Sequence, residues 1–242
     1  MAETLRVGGG EASSRIASRR KPAFRPAMRR RHFLLFVALT LALVAAPEKW
    51  TAAIEKFTQV DATNPPPRDA VLFLGSSSIV KWTTLAKDFP DVKVINRGFG
   101  GSELADSAFY LDRIAIPYRP HVVVLYAGDN DLQAGKTPGS VAADFAAFCT
   151  KIHAALPATR IVYIGIKPSP ARWKLREQAM QANALIAAHC AQDQRRAFVD
   201  TWKPMLDAQG QPRPELFVAD RLHMNPAGYA IWTPLLAPLL KP

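Results

Sequence analysis

The chain has 242 residues, of which 49% are hydrophobic, and a formal net charge of +11. This length and apolar fraction fit one well-packed domain and exclude two large ones. The charge suggests a nucleic-acid or membrane partner, but residues 1–32 hold nine basic and only two acidic residues. The rest of the chain keeps a charge of about +4 and has no basic stripe interleaved with aromatic residues, so we predict no nucleic-acid partner.

The N-terminal region divides into two segments. Residues 1–27 are rich in Gly, Ser and Arg without periodicity, which predicts a disordered basic extension. Residues 28–46 start with Met28, an alternative start of translation, and continue through three arginines into an apolar run from Phe33 to Ala46. That composition predicts a secretory signal peptide and export to the periplasm or the extracellular space. The apolar run would rise about 21 Å as a helix, short of a bilayer core of about 30 Å, so an uncleaved N-terminal anchor and a buried helix are alternatives.

Residues 47–242 alternate short apolar runs with longer helical patterns. After a helix predicted at 50–61, apolar runs without polar alternation predict buried strands at 70–74, 92–95, 121–126, 160–165 and 197–199. Apolar residues spaced three or four apart predict helices at 103–116, 140–156, 172–190 and 222–240. The alternation predicts one α/β domain, a three-layer α/β/α sandwich on a parallel sheet of about five strands.

Cys149 and Cys190 both fall within predicted helices. Export would permit a disulfide between them, and burial as two small apolar side chains is the alternative. The sequence has no CxxC motif or Cys/His ligand cluster, so we predict no metal site.

Polar, Gly-rich segments follow the first three predicted strands, at residues 75–78, 96–101 and 128–131. In a parallel α/β sheet, ligands bind beyond the carboxyl ends of the strands. These segments therefore predict a functional site at that edge.

Ser77 lies in the predicted turn from the first strand into a helix. A serine there commonly caps the helix, but the same turn can expose a hydroxyl beside its own backbone N–H, as a nucleophile for acyl transfer requires. The Gly-x-Ser-x-Gly elbow is not present, because Ile79 stands where its second glycine would be.

Asp220 and His223 are three residues apart, so the carboxylate can hold the imidazole N–H. A serine hydroxyl needs such a base, and the base needs an orienting carboxylate. The other histidines fit this role less well, since they fall within helices, at the start of a strand or in the N-terminal region.

Gly101 and Asn130 follow the second and third strands. With the Ser77 N–H, the Gly101 N–H and the Asn130 amide could form an oxyanion hole. Taken alone, Gly101 could equally be a turn glycine, and Asn130 could be an Asx residue that stabilises its loop.

Taken together, these segments resemble the four blocks of the SGNH (GDSL-like) hydrolase superfamily. Gly75-Ser76-Ser77 is similar to the nucleophile block, residues 96–101 to the glycine block, Gly128-Asp-Asn-Asp131 to the Gly-x-Asn-Asp block, and Asp220-Arg-Leu-His223 to the Asp-x-x-His block. The resemblance covers about residues 70–230. Ser76 stands where many members carry Asp, which puts any role of that acidic residue in doubt.

The resemblance implies a flavodoxin-like sheet and hydrolysis of esters or thioesters without metal or cofactor. It implies Ser77, Asp220 and His223 as the catalytic triad, and Ser77, Gly101 and Asn130 as the oxyanion donors. Our first expectation for the substrate is a short-acyl ester such as an O-acetyl group on a carbohydrate. One alternative is an enzyme that cleaves lysophospholipids or thioesters at the same site. The others are a catalytically silent exported binding module and a nucleotide-binding flavodoxin-like protein.

Residues 167–173 follow the fourth predicted strand and should overhang the same edge of the sheet. Lys167, Arg172 and Trp173 could form a substrate wall there. The alternative is a rigid solvated connection built around its prolines.

Overall fold

The computed structural model describes residues 48–241. The predicted basic extension (1–27) and the predicted signal peptide or anchor (28–46) lie outside the described residues. Within the described part of the chain, no helix is long and apolar enough to cross a membrane.

The core of the fold is a parallel sheet of five strands: β1 (Val71–Gly75), β2 (Val94–Gly98), β3 (Val122–Tyr126), β4 (Arg160–Ile164) and β5 (Arg196–Val199). Their order is β2-β1-β3-β4-β5, the flavodoxin-like arrangement. All five residues of β1 and of β3 are buried, as expected for apolar strands covered on both faces. The predicted fold class is therefore confirmed, with each strand within about three residues of its predicted bounds.

Helices cover both faces of the sheet. Their bounds are α1 Thr51–Thr63, α2 Ser77–Val80, α3 Leu85–Asp88, α4 Leu104–Phe109, α5 Leu111–Ile114, α6 Asp129–Gln133, α7 Pro138–Ala155, α8 Arg176–Cys190 and α9 Pro226–Leu236. Alternate residues of β1 point to opposite faces: Leu72 packs with Phe145 of α7, whereas Phe73 packs with Trp82 and Trp232 of the α2 and α9 side. This arrangement gives the three α/β/α layers.

Three of the helix predictions were wrong in their extent. The helix predicted at 103–116 is divided into α4, α5 and a 3₁₀ turn, Ile116–Tyr118, which has Pro117 in its first turn. The helix predicted at 172–190 starts as the 3₁₀ segment Pro170–Leu175, with non-helical dihedral angles at Arg172. The last predicted helix begins four residues late, at Pro226, because the Asn225 side chain caps it by accepting the N–H groups of Ala227 and Gly228.

Cys149 of α7 and Cys190 of α8 are both buried, and both are free thiols. Burial, with the neighbouring Cys190 thiol, raises the pKa of Cys149 to about 12, and burial raises that of Cys190 to about 11. The structure thus shows them as buried small side chains.

The order of the strands changes direction between β1 and β3, and ligand sites in such sheets lie beyond the carboxyl ends at this point. Gly75 at the end of β1 is level with both Gly98 of β2 and Tyr126 of β3. The three loops that follow these strands consequently leave the sheet at one edge.

Candidate active site

Ser77 is presented by a sharp turn at the end of β1. Gly75 has a φ of +131°, and a Cβ there would lie 1.9 Å from the Tyr126 carbonyl oxygen, so no other residue fits. The N-cap of α2 is Ser76, which makes no side-chain capping bond, and Ser77 is the first helical residue. Helix capping therefore does not account for the Ser77 hydroxyl, which is left available for another partner.

The structure brings Ser77, His223 and Asp220 together in one chain of hydrogen bonds. Ser77 Oγ lies 2.8 Å from His223 Nε2, and His223 Nδ1 lies 2.6 Å from Asp220 Oδ2. An ionised carboxylate only accepts, so Nδ1 carries the imidazole proton and Nε2 accepts from the serine hydroxyl. This is the arrangement in which a histidine can take the serine proton.

Asp220 is held as a carboxylate by its neighbours. Desolvation acts to raise its pKa, but the hydrogen bonds from the His223 ring and from the N–H groups of His223 and Leu222 outweigh it and lower the pKa of Asp220 below its usual range. The Asp220 carboxylate can therefore accept the ring N–H of His223.

A tight loop sets the spacing of Asp220 and His223. The Val218 N–H donates to the His223 carbonyl, and the Arg221 N–H donates back to the Val218 carbonyl, each at 2.9 Å. Arg221 adopts a left-handed conformation, with a φ of +58°. Asn225 closes the loop by capping α9, so residues 220–225 form a connection and not the predicted helical turn.

Gly101 and Asn130 reach the same edge of the sheet. Gly101 has a φ of +79°, and within the described residues its N–H is bonded to no acceptor. Asn130, in the first turn of α6, donates one amide hydrogen to the Ser102 carbonyl at 2.9 Å, so its second amide hydrogen is available. Its Oδ1 accepts from Arg172 Nη2 at 2.8 Å.

Lys167 is buried next to the site. Its side chain is 1% exposed, and its Nζ lies 2.9 Å from the Tyr126 hydroxyl, 3.2 Å from Ser78 Oγ and 3.5 Å from Asp129 Oδ2. Burial lowers the pKa of Lys167, against the opposing effect of the Asp129 carboxylate. Its stem turns inward to polar groups of β3 and of the helices that follow β1 and β3, and its place in a substrate wall stays a prediction.

Trp173 and Arg172 remain at the edge of the sheet. The Trp173 ring stacks on Trp202 with centroids 6.0 Å apart and planes inclined by 23°. Both tryptophans line a small cavity of about 20 Å³, room for about one water molecule, together with Asp129, Lys167 and Arg172. Arg172 is mostly enclosed, with 16% of its side chain exposed, and its Nη1 lies 2.9 Å from Asp129 Oδ2.

The sequence did not reveal two aromatic residues that support the site. Tyr229 of α9 donates its hydroxyl to the Ser78 carbonyl at 2.9 Å, and its ring stacks on Trp82 at 4.8 Å. Trp50 lies against Gly101, where an added Cβ would be 3.3 Å from its ring. Both are distant in sequence from the residues they support, so no local pattern could have identified them.

A parallel α/β/α sandwich with a serine, a histidine and an aspartate linked at its carboxyl edge is the arrangement typical of serine hydrolases. Over residues 48–241, no group of three or more His, Cys, Asp or Glu side chains could hold a metal ion. The sequence model of the GDSL-like Lipase/Acylhydrolase family matches residues 69–231. The chain therefore belongs to this family and is a hydrolase of carboxylic esters.

Solved structures show the same fold at low sequence identity. A protein from Streptococcus pneumonia described as a platelet activating factor has 20% identity and a TM-score of 0.70, over 78% of this chain and 92% of that one. A GDSL-like lipase from Bacteroides thetaiotaomicron has 19% identity and a TM-score of 0.66, over 77% and 96%. A carbohydrate esterase family 3 structure from Talaromyces cellulolyticus has 17% identity and a TM-score of 0.57, over 70% and 95%. A comparison with curated proteins found no match.

Proposed function

We propose that the protein is an exported serine esterase that removes short acyl groups, such as O-acetyl groups on carbohydrates, through an acyl-enzyme. The observation that carries the proposal is the unbroken hydrogen-bond chain Ser77–His223–Asp220, with links of 2.8 and 2.6 Å. Export is supported only by the basic and apolar composition of residues 28–46.

The reaction follows from the positions of these groups. His223 Nε2 takes the hydroxyl proton as Ser77 Oγ attacks the acyl carbon, and Asp220 stabilises the resulting imidazolium. The N–H groups of Ser77 and Gly101 and the amide of Asn130 stabilise the negative oxygen. The intermediate collapses when His223 returns the proton to the leaving alcohol. Water then attacks the acyl-enzyme with His223 again as base, which releases the acid and the free serine.

The stacked rings of Trp173 and Trp202, both partly exposed, favour a sugar as the alcohol. Flat aromatic surfaces with a few placed polar groups are typical of small-molecule sites. The similarity of fold to a carbohydrate esterase is consistent with this substrate class.

An apolar groove supports a second candidate, the cleavage of lysophospholipids or long-chain thioesters. The groove has a volume of about 440 Å³ and is lined by Phe57, Val60, Val80 and Gly100, with both valines exposed. It extends to the nucleophile, since a Cβ built on Gly100 would lie 3.8 Å from the Ser77 Cβ. A chain of many methylenes would gain from burial there, at about 0.8 kcal/mol per methylene.

One set of assays separates the two candidates. We expect kcat/KM to be highest for p-nitrophenyl acetate, to fall towards the octanoate, and acetate to be released from acetylated xylo-oligosaccharides. A rise in kcat/KM with chain length that is lost in Val80→Ser would favour the second candidate. Ser77→Ala is the control for background hydrolysis, and no turnover of any ester by the folded protein would refute both.

The proposed export has its own test. The full chain, expressed in a bacterium with a C-terminal tag, should accumulate outside the cytoplasm with a new N-terminus near Ala46. An intact N-terminus in a cytoplasmic fraction would contradict the proposal and would leave the esterase assignment untouched.

A further inference from the structure

The amide of Asn130 is held at both of its ends. Its Nδ2 donates to the Ser102 carbonyl at 2.9 Å, and its Oδ1 accepts from Arg172 Nη2 at 2.8 Å. An asparagine amide can otherwise rotate by half a turn and exchange the places of its oxygen and nitrogen. A guanidinium only donates and a carbonyl only accepts, so this pair of partners permits one orientation alone.

The orientation of the amide decides its chemistry. With Oδ1 against Arg172, the second hydrogen on Nδ2 is available to a negative oxygen, and the acceptor atom is turned towards Arg172. In the reversed state, Oδ1 would face the Ser102 carbonyl and the amino group would face the guanidinium, and both contacts would be repulsive. Arg172 thereby selects the state in which Asn130 can donate.

We propose that Arg172 is a positioning residue of the oxyanion hole, which holds the Asn130 amide with its donor free for the reacting oxygen. This inference rests on the role proposed above for Asn130. It assigns to Arg172 a function other than the substrate wall suggested by its sequence position, because its guanidinium already donates to Asn130 and forms an ion pair with Asp129.

Arg172 is itself held in place by a buried ion pair. Its Nη1 lies 2.9 Å from Asp129 Oδ2, on a carboxylate that is 10% exposed. The Lys167 ammonium lies 3.5 Å from the same oxygen and donates hydrogen bonds to the hydroxyl groups of Tyr126 and Ser78. Two cations on one buried carboxylate leave the guanidinium little freedom to turn away from Asn130.

The backbone of the same segment reaches the other half of the site. The Ala171 N–H donates to the carbonyl of Arg221 at 3.1 Å, within the loop that carries Asp220 and His223. The 3₁₀ segment Pro170–Leu175 therefore contacts the oxyanion side through the Arg172 side chain and the acid–base side through the preceding residue. One short segment therefore contacts both the oxyanion side and the acid–base side of the site.

A double-mutant cycle tests the proposal directly. The four proteins are the wild type, Arg172→Met, Asn130→Ala and the double variant, each assayed with p-nitrophenyl acetate under saturating conditions. We expect Asn130→Ala to lower kcat on the order of 10²-fold, as for loss of one oxyanion donor. Arg172→Met should lower kcat by about 10-fold in the wild type and by less than about 2-fold in the Asn130→Ala background, because Arg172 acts through that amide.

Two further variants separate positioning from general destabilisation. Arg172→Gln keeps one N–H donor for Asn130 Oδ1 and should recover part of the kcat lost in Arg172→Met, with KM unchanged in both. Arg195→Ala is the matched control, since it removes an arginine paired with Asp193 before β5, at the opposite edge of the sheet. It should leave kcat and KM as they are. Unfolding midpoints show that each assay was made on folded protein, and Arg172→Gln replaces Arg172→Met in the cycle if the latter does not fold.

Each outcome has a definite meaning. Equal losses of kcat from Arg172→Met in both backgrounds would overturn the positioning role, as would a raised KM with unchanged kcat, which would mark a substrate-binding residue. A normal kcat in folded Asn130→Ala would remove the oxyanion assignment itself, and the inference with it. Hydrolysis that persists in Ser77→Ala would instead point to failure of the proposed function.

Discussion

His223 Nε2 and Ser77 Oγ lie 2.8 Å apart although 146 residues separate them in the chain. Ser77 is fixed by the end of β1, whereas His223 precedes α9, so their alignment depends on how α9 packs against the sheet. Tyr229 makes that connection, with its hydroxyl on the Ser78 carbonyl at 2.9 Å and its ring on Trp82. The triad is thus completed by the docking of the C-terminal helix.

Tyr229→Phe should weaken this alignment without abolishing it. Loss of one buried hydrogen bond should lower the free energy of unfolding by about 1 kcal/mol, and the unpaired Ser78 carbonyl adds to that cost. We expect kcat to fall a few-fold with KM unchanged. Tyr118→Phe is the control, since its hydroxyl bonds Asp61 away from the triad. Equal stability losses with an unchanged kcat in both variants would show that the hydroxyl of Tyr229 does not set the alignment.

The run of three serines gives a sharp test of the nucleophile. Ser77→Ala should abolish hydrolysis of p-nitrophenyl acetate while the protein stays folded, because its hydroxyl alone bonds His223. Ser76→Ala and Ser78→Ala should retain much of the activity. The Ser76 Oγ has no hydrogen-bond partner within the described residues, and that of Ser78 faces Lys167. Mass spectrometry after fluorophosphonate labelling should place the adduct on Ser77, and an adduct on either neighbour would reassign the nucleophile.

Lys167→Met separates the two roles considered for this lysine. Its burial predicts a structural effect: removal of the ammonium should cost about 3 kcal/mol of unfolding free energy, because Asp129 loses one of its two cations. KM for acetylated substrates should change little in assays well below the unfolding midpoint. Chemical denaturation measures the first quantity and steady-state kinetics the second. A large rise in KM with unchanged stability would favour the substrate wall.

Local sequence patterns were enough to predict the sheet and the edge of it where Ser77 and His223 meet. An apolar run such as that of β3 reports burial on both faces, and polar segments after successive strands must leave a parallel sheet at one edge. The order of Ser77, Asn130 and His223 along the chain therefore predicted their meeting. The structure shows the hydrogen bond between His223 and Ser77. The catalytic roles of Ser77, Asn130 and His223 stay predictions.

Contacts between distant segments could not be predicted in the same way. Lys167 is turned inward by three partners that come from β3, α2 and α6, and its own neighbours in sequence suggest an exposed loop. Arg172 has the same explanation, since its acceptors lie more than 40 residues away. The late start of α9 depends on the Asn225 cap, which a helical pattern of apolar residues does not reveal.

The last prediction concerns pH. Only a neutral imidazole can accept the Ser77 proton, so kcat/KM should rise with pH as one proton leaves the free enzyme, and then level off. Asp220 cannot be the group whose proton is lost in this rise, since its hydrogen bonds lower its pKa below the usual range and keep it ionised across the pH range of the assay. Rates of p-nitrophenyl acetate hydrolysis from about pH 5 to 8, read at the isosbestic wavelength of p-nitrophenol, measure the limb. Asp220→Asn should fold normally but lose on the order of 10³ or more in kcat, because the amide can stabilise the wrong tautomer and carries no charge to offset the imidazolium. A flat profile in the wild type would remove His223 as the base, and a wild-type rate in Asp220→Asn would mean that another group orients the ring.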